Sequence, residues 1–142
     1  MSNPFEIHFH VENEVLSEFP LQDELAELCS KILEEEEQEG DVNIVLTDDQ
    51  HVRQLNKNFR NKDKTTDVLS FPWNEEDFLG EIYISEQQVR RQAPRFDNSF
   101  ENELKRMLIH GLLHLCGYDH MAPKERKEMR EREEEILGWK IY

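Results

Sequence analysis

The chain has 142 residues, of which 37% are hydrophobic and 35% charged, and its formal net charge is −15. That length fits one domain around one compact core, with long solvated helix faces around it. No run approaches the ~18 apolar residues of a membrane span, and Cys29 and Cys116 make no disulfide framework, which argues against membrane and disulfide-stapled secreted classes.

In chain order, "FEIHFHV" (5–11) alternates Phe5, Ile7, Phe9 and Val11 with polar partners, the period of a half-buried strand. His8 and His10 then fall on its other face and read as surface or edge histidines. Pro20 opens a helix in which Leu21, Leu25, Leu28, Ile32 and Leu33 form one stripe, and Gly40 reads as its stop. "DVNIVLTD" (41–48) is a second strand. Asp48 or Asp49 caps the next helix, with Val52, Leu55 and Phe59 on its inner face. "DKTTDVLSFPW" (63–73) is a loop leading to a short strand that Pro72 ends or kinks, and "GEIYIS" (80–85) is a fourth strand. Helices follow: "EQQVRRQA" up to Pro94, then one from Phe100 to about Cys116 capped by Asn98 or Ser99, then "KERKEMREREEEIL" between Pro123 and Gly138. "MLIHGLLHLC" is apolar nearly all round, so its helix belongs in the centre. The order β-α-β-α-β-β-α-α-α predicts a single α+β domain over residues 1–142: a small mixed sheet of about four strands flanked by helices, with a central metal-binding helix. The N-terminal "MSNPFEIHFH" lacks the basic-then-apolar order of a secretory signal, so a cytoplasmic location is expected.

The charge is unevenly spread. Residues 34–41, "EEEEQEGD", are almost wholly acidic, whereas 53–64, "RQLNKNFRNKDK", set Arg53, Lys57, Arg60, Lys62 and Lys64 against Asp63 alone. Arg90, Arg91 and Arg95 form a second basic group. The total disfavours non-specific nucleic-acid binding, but a local anion site is compatible with it.

"HGLLHLCGYDH" (110–120) carries the chemistry. His110 and His114 are four apart, so their rings leave one helix face with Cβ atoms ~5–6 Å apart, close enough for two imidazoles to share an ion. Gly117 turns the chain, and His120 supplies a third ligand from the turn. Three neutral histidines leave the fourth position of a tetrahedral zinc open, the catalytic arrangement; nickel, cobalt or copper also suit imidazole. Zinc peptidases place glutamate where Gly111 stands, so peptide hydrolysis is disfavoured. A phosphodiester fits better, because a metal and a fixed guanidinium together stabilise the charge that develops on it. Glycine at 111 also implies close backbone approach, from a strand or from a substrate.

With "LNKNFRNKDKTTDVLSFP" (55–72), "GEIYIS" (80–85) and "HGLLHLCGYDH" in this order, the chain resembles the YbeY family, bacterial metal-dependent endoribonucleases of ribosomal RNA maturation. The resemblance covers essentially the whole domain. It implies zinc held by His110, His114 and His120, with Arg60 facing the metal across a cleft. It also implies single-stranded RNA as substrate, a role in 3′-end maturation of 16S rRNA and in ribosome quality control, and small-subunit components as partners. Thr65 and Glu81 replace the family's usual proline and aspartate, away from the proposed ligands.

Taken alone, Arg60 is an exposed arginine at a helix end; in the light of the resemblance, its fork matches a phosphate bidentately. Asp67 and Ser70 either line the cleft or close the loop. Asp119 either orients a histidine or caps the turn, and Tyr118 packs. Two other readings stay open: a non-catalytic ribosome-assembly factor whose acidic surface meets basic ribosomal proteins, and another metal-dependent hydrolase.

Overall fold

The computed structural model describes residues 6–60, 68–75, 77–119 and 121–141, without the side chains of Arg60 and Asn74. The elements follow the expected order: β1 (Ile7–Val11), α1 (Gln22–Glu35), β2 (Asp41–Thr47), α2 (Asp49–Arg60), β3 (Val68–Glu75), β4 (Phe78–Ser85), α3 (Glu86–Gln92), a 3₁₀ turn (Ala93–Phe96), α4 (Phe100–Leu115) and α5 (Pro123–Leu137). The sheet runs β1-β2-β4-β3, parallel between β1, β2 and β4 and antiparallel between β4 and β3. It is the mixed four-stranded sheet of an α+β fold.

Strand alternation places the helices. Ile82 touches α4 at Gly111, whereas the next residue, Tyr83, packs its ring on His51 of α2. Neighbouring residues of a strand point to opposite faces, so α4 and α2 cover opposite sides of β4. α4 is the central helix: Leu104, Met107, Leu108, Ile109, Leu112, Leu113 and Leu115 are all buried. Each such side chain contributes ~1.5–3 kcal/mol on burial.

The helix caps are largely those expected. Asp48 Oδ1 accepts the His51 N–H at 2.8 Å, Ser85 caps α3 and Ser99 caps α4. Pro123 occupies the first turn of α5 and Gly138, at φ 82°, ends it. Trp139 and Ile141 dock against the core. Cys29 and Cys116 are free, and burial pushes both thiols up to about 12.

Four expectations need correction. Leu21 is not on the α1 stripe: it precedes the helix in the left-handed region, at φ 57°, and is exposed. The left-handed residue after α1 is Glu37, at φ 56°, not Gly40. Gly40 serves the entry to β2 instead, where a Cβ would meet Leu79 N at 2.9 Å. Pro72 does not end β3, which runs on to Glu75; as an edge strand it tolerates the missing N–H, with a register shift between Pro72 and Glu75. Phe59, expected on the inner face of α2, is 70% exposed and meets Phe71 at the edge of the sheet.

Candidate metal centre

His110 and His114 share one face of α4 and converge. Their Nε2 atoms lie 3.2 Å apart, with the rings nearly perpendicular at 82°. Each Nδ1 has an acceptor of its own. His110 Nδ1 sits 2.5 Å from Glu133 Oε1 on α5, and His114 Nδ1 sits 3.0 Å from the Tyr118 carbonyl. A carbonyl can only accept and a carboxylate does so when ionised, so both Nδ1 atoms carry a proton, and in the neutral rings that ligate a metal the Nε2 atoms are the free donors. A proton or a metal ion between the two Nε2 atoms relieves the repulsion of lone pairs held that close. Two nitrogens at ~2.0–2.1 Å from a tetrahedral ion stand roughly 3.3 Å apart, close to what is seen here. The donor set and its supporting acceptors therefore fit a zinc-like ion.

The chain builds this arrangement locally. Gly117, at φ 102°, follows the helix cap Cys116. Its N–H donates to the His114 carbonyl and that of Tyr118 donates to the Leu113 carbonyl, both at 3.0 Å, which is the Schellman closure. That turn swings the Tyr118 carbonyl back onto the His114 ring. Farther out, Tyr118 Oη donates to Glu36 at 3.0 Å. Arg132 reaches Glu36 at 2.8 Å and Glu35 at 2.7 Å, so it ties α5 to the end of α1. Part of the acidic 34–41 stretch is thus paired inside the molecule. The next residue after Arg132 is Glu133, which the tie holds beside His110.

Gly111 explains the missing glutamate. A Cβ there would meet Ile82 Cγ2 at 2.8 Å, Val68 Cγ2 at 3.0 Å and Ser70 Oγ at 3.1 Å. Ser70, buried, donates its hydroxyl to the Gly111 carbonyl at 2.8 Å. Of the two sources of close approach, it is the sheet that crowds this position, and no glutamate fits. Ser70 therefore fastens β3 to the helix between the two histidines.

Other candidates fall as follows. His120 lies outside the described residues, as do Lys62, Lys64, Thr65 and Asp67. Arg60 is the last residue of α2, and its side chain is outside the description. Arg53 and Lys57 are on exposed positions of that helix. Asp119 Oδ1 accepts the Met121 N–H at 3.1 Å, a turn cap. The second basic group is largely engaged internally: Arg90 pairs with Glu86 and stacks on Phe100, while Arg91 reaches Asp49 at 2.7 Å.

Glu133 was not among the expected site residues. On the otherwise charged helix α5, Met129, Glu133 and Leu137 form a buried stripe at intervals of four. An acidic residue on that stripe was the available signal. Among the described residues, Glu6, His8 and Asp41 also bring one ligand atom each within 4.8 Å of one another. That group at the sheet edge differs in kind: His8 Nε2 faces Asp41 at 3.3 Å and Glu6 at 3.6 Å, and a proton on the ring completes those contacts without an ion.

Comparison with known proteins adds the family. Residues 6–139 match the family model described as endoribonuclease YbeY. An endoribonuclease YbeY of Aquifex aeolicus is 46% identical over 103 residues, 69% of each chain. That of Thermotoga maritima is 42% identical over 123 residues, 83% of this chain and 82% of the relative. A solution structure of TM1509 from Thermotoga maritima aligns with a TM-score of 0.62 at 36% identity, covering 93% of this chain and 89% of the other. With a family model spanning nearly the whole sequence and relatives this similar, the chain belongs to the endoribonuclease YbeY family.

Proposed function

We propose that the protein is a metal-dependent, single-strand-specific endoribonuclease that acts in 3′-end maturation of 16S rRNA and in ribosome quality control, in the cytoplasm. The observation that carries the metal dependence is the tautomer-fixed pair of Nε2 atoms 3.2 Å apart, backed by Glu133. His110, His114 and His120 would hold one zinc ion, or another divalent transition metal. Such an ion supplies Lewis-acid stabilisation of charge on a phosphoryl oxygen.

The remaining work falls to the chain. Arg60, at the end of α2, binds the scissile phosphate through its fork and offsets the charge of the transition state. Arg53, Lys57, Lys62 and Lys64 draw the RNA backbone towards it on an otherwise acidic protein. Position 111, packed against the sheet, contributes no proton carrier. The substrate's own 2′-hydroxyl is then the available internal nucleophile. Family membership supports RNA as the substrate class, and ribosomal small-subunit components follow as partners. Among the described residues no helix is long and apolar enough to cross a membrane.

The test is cleavage of labelled single-stranded and duplex RNA by Arg60→Ala alongside wild type, with metal content measured on both. The proposal expects the variant to keep its metal and lose cleavage. Loss of metal together with activity would make Arg60 structural.

The charge of −15 favours one second reading, a non-catalytic assembly factor that binds basic ribosomal proteins. It expects His114→Ala to unfold the chain and nuclease activity to separate from the protein on purification.

A further inference from the structure

Phe59 is 70% exposed, although it continues the inner stripe of α2 from Val52 and Asn56. Its ring is not loose. It meets Phe71 on β3 edge-on, with centroids 5.6 Å apart; Phe71 meets Tyr83 at 5.9 Å, and Tyr83 meets His51 at 5.8 Å. Four rings thus run from the edge strand back under α2, and the outermost presents a face to solvent. Two residues past Phe71 on the same strand, Trp73 is 45% exposed and rests on Phe78 at 5.6 Å. A well-packed monomer gains nothing by displaying two large rings beside its edge strand.

The sequence around Phe59 points to the occupant, whereas beyond Trp73 the chain is acidic, with Glu75, Glu76 and Asp77. Phe59 sits within the 53–64 stretch of five cations and one anion, on a chain whose total is −15. Arg53 and Lys57 lie at exposed positions of the same helix. A polyanion with flat apolar faces matches cations interleaved with exposed rings, which is how unpaired nucleic acid is held without sequence preference. A duplex, whose bases are already stacked, offers no such faces.

The edge strand also links this surface to the histidines. Ser70 holds the Gly111 carbonyl on one side of β3, and the next residue, Phe71, supports Phe59 on the other. We propose that Phe59 is a stacking platform for unpaired bases of an RNA strand that crosses edge strand β3 towards His110 and His114. This rests on the endoribonuclease reading, and it gives that reading a physical origin for single-strand preference.

The test measures binding and cleavage by the full chain with a labelled single-stranded oligoribonucleotide and with an abasic strand of equal length. Phe59→Ala should weaken RNA binding and raise KM by about 5- to 30-fold, with kcat and metal content unchanged. Phe59→Leu should fail in the same way, because it keeps the apolar contact with Phe71 but has no ring to stack. The abasic strand should bind wild type and Phe59→Ala equally. The platform is overturned if Phe59→Ala binds RNA like wild type, if Phe59→Leu restores full binding, or if the loss extends to the abasic strand. It is also overturned if the variant loses a ribosomal protein while RNA binding is untouched. Should wild type cleave no RNA yet still show Phe59-dependent binding, the nuclease reading fails and the platform stands.

Discussion

Replacing Glu133 by alanine tests how the metal centre is built without touching a proposed ligand. The Glu133 carboxylate is 7% exposed and lies 2.5 Å from His110 Nδ1, a charge-assisted contact shielded from solvent. Its removal frees the His110 ring to rotate, takes the acceptor from a half-buried N–H and lowers the basicity of Nε2. Losses of this kind typically weaken metal binding by about 10- to 100-fold, or ~1.4–2.7 kcal/mol at ~1.4 kcal/mol per decade. Glu133→Gln keeps an acceptor without the charge and should lose less. The assay is competition for zinc against a chromophoric chelator, with Glu131→Ala as control, because that residue is exposed on the same helix and pairs only at 4.0 Å with Lys127. Folding is followed by circular dichroism. Wild-type zinc affinity in a folded Glu133→Ala protein would mean that the hydrogen bond has no bearing on the site.

Three other substitutions probe the frame around the site. Gly111→Ala should destabilise the protein by up to ~2 kcal/mol in urea titrations: overpacking against Ile82 and Val68 costs about 1–3 kcal/mol, set against the ~1 kcal/mol gained in helix propensity. Equal or higher stability would mean the β3–α4 contact gives way easily. Gly117→Ala meets no atom within 4 Å, so its cost is backbone strain alone, about 1–3 kcal/mol at φ 102°; because the Tyr118 carbonyl moves with the turn, zinc affinity should fall too. Arg132→Met should change the acid side of the stability profile. The hydrogen bond from Arg132 holds the Glu35 carboxyl below its ordinary value. Its contribution is therefore complete above the unfolded-state pKa and is lost as pH falls through the lower, folded one. Unfolding midpoints at pH 7 and pH 3 should differ less in the variant than in wild type, and an unchanged difference would count against the tie.

The parts of the fold that follow from local rules were legible in the sequence. Element order, the Asp48 and Ser99 caps and the burial of α4 all come from periodicity and capping chemistry, which act within a few residues. What was missed depends on partners far along the chain. Phe59 has the spacing of a core residue, and only the position of β3 at the sheet edge leaves it exposed. Pro72 reads as ending or kinking its strand, and on the edge strand it shifts the register without ending it. The convergence of His110 and His114 follows from their spacing of four, whereas the acceptors that fix their tautomers do not. One depends on a glycine-terminated turn and the other on a helix 23 residues away in sequence. Gly111, conspicuous beside a zinc-peptidase pattern, acquired its meaning only when the sheet was found packed against it.

On the proposed reading, a single ion held by His110, His114 and His120 makes this protein an RNA-cleaving enzyme. The most direct measurement removes the metal with a chelator and follows cleavage of single-stranded RNA as zinc is returned in known amounts, for wild type and His114→Ala. Activity in wild type should recover in proportion to zinc and level off at about one equivalent per chain, while the folded variant stays inactive. Cleavage that persists in the stripped protein, or equal recovery in His114→Ala, would contradict the account.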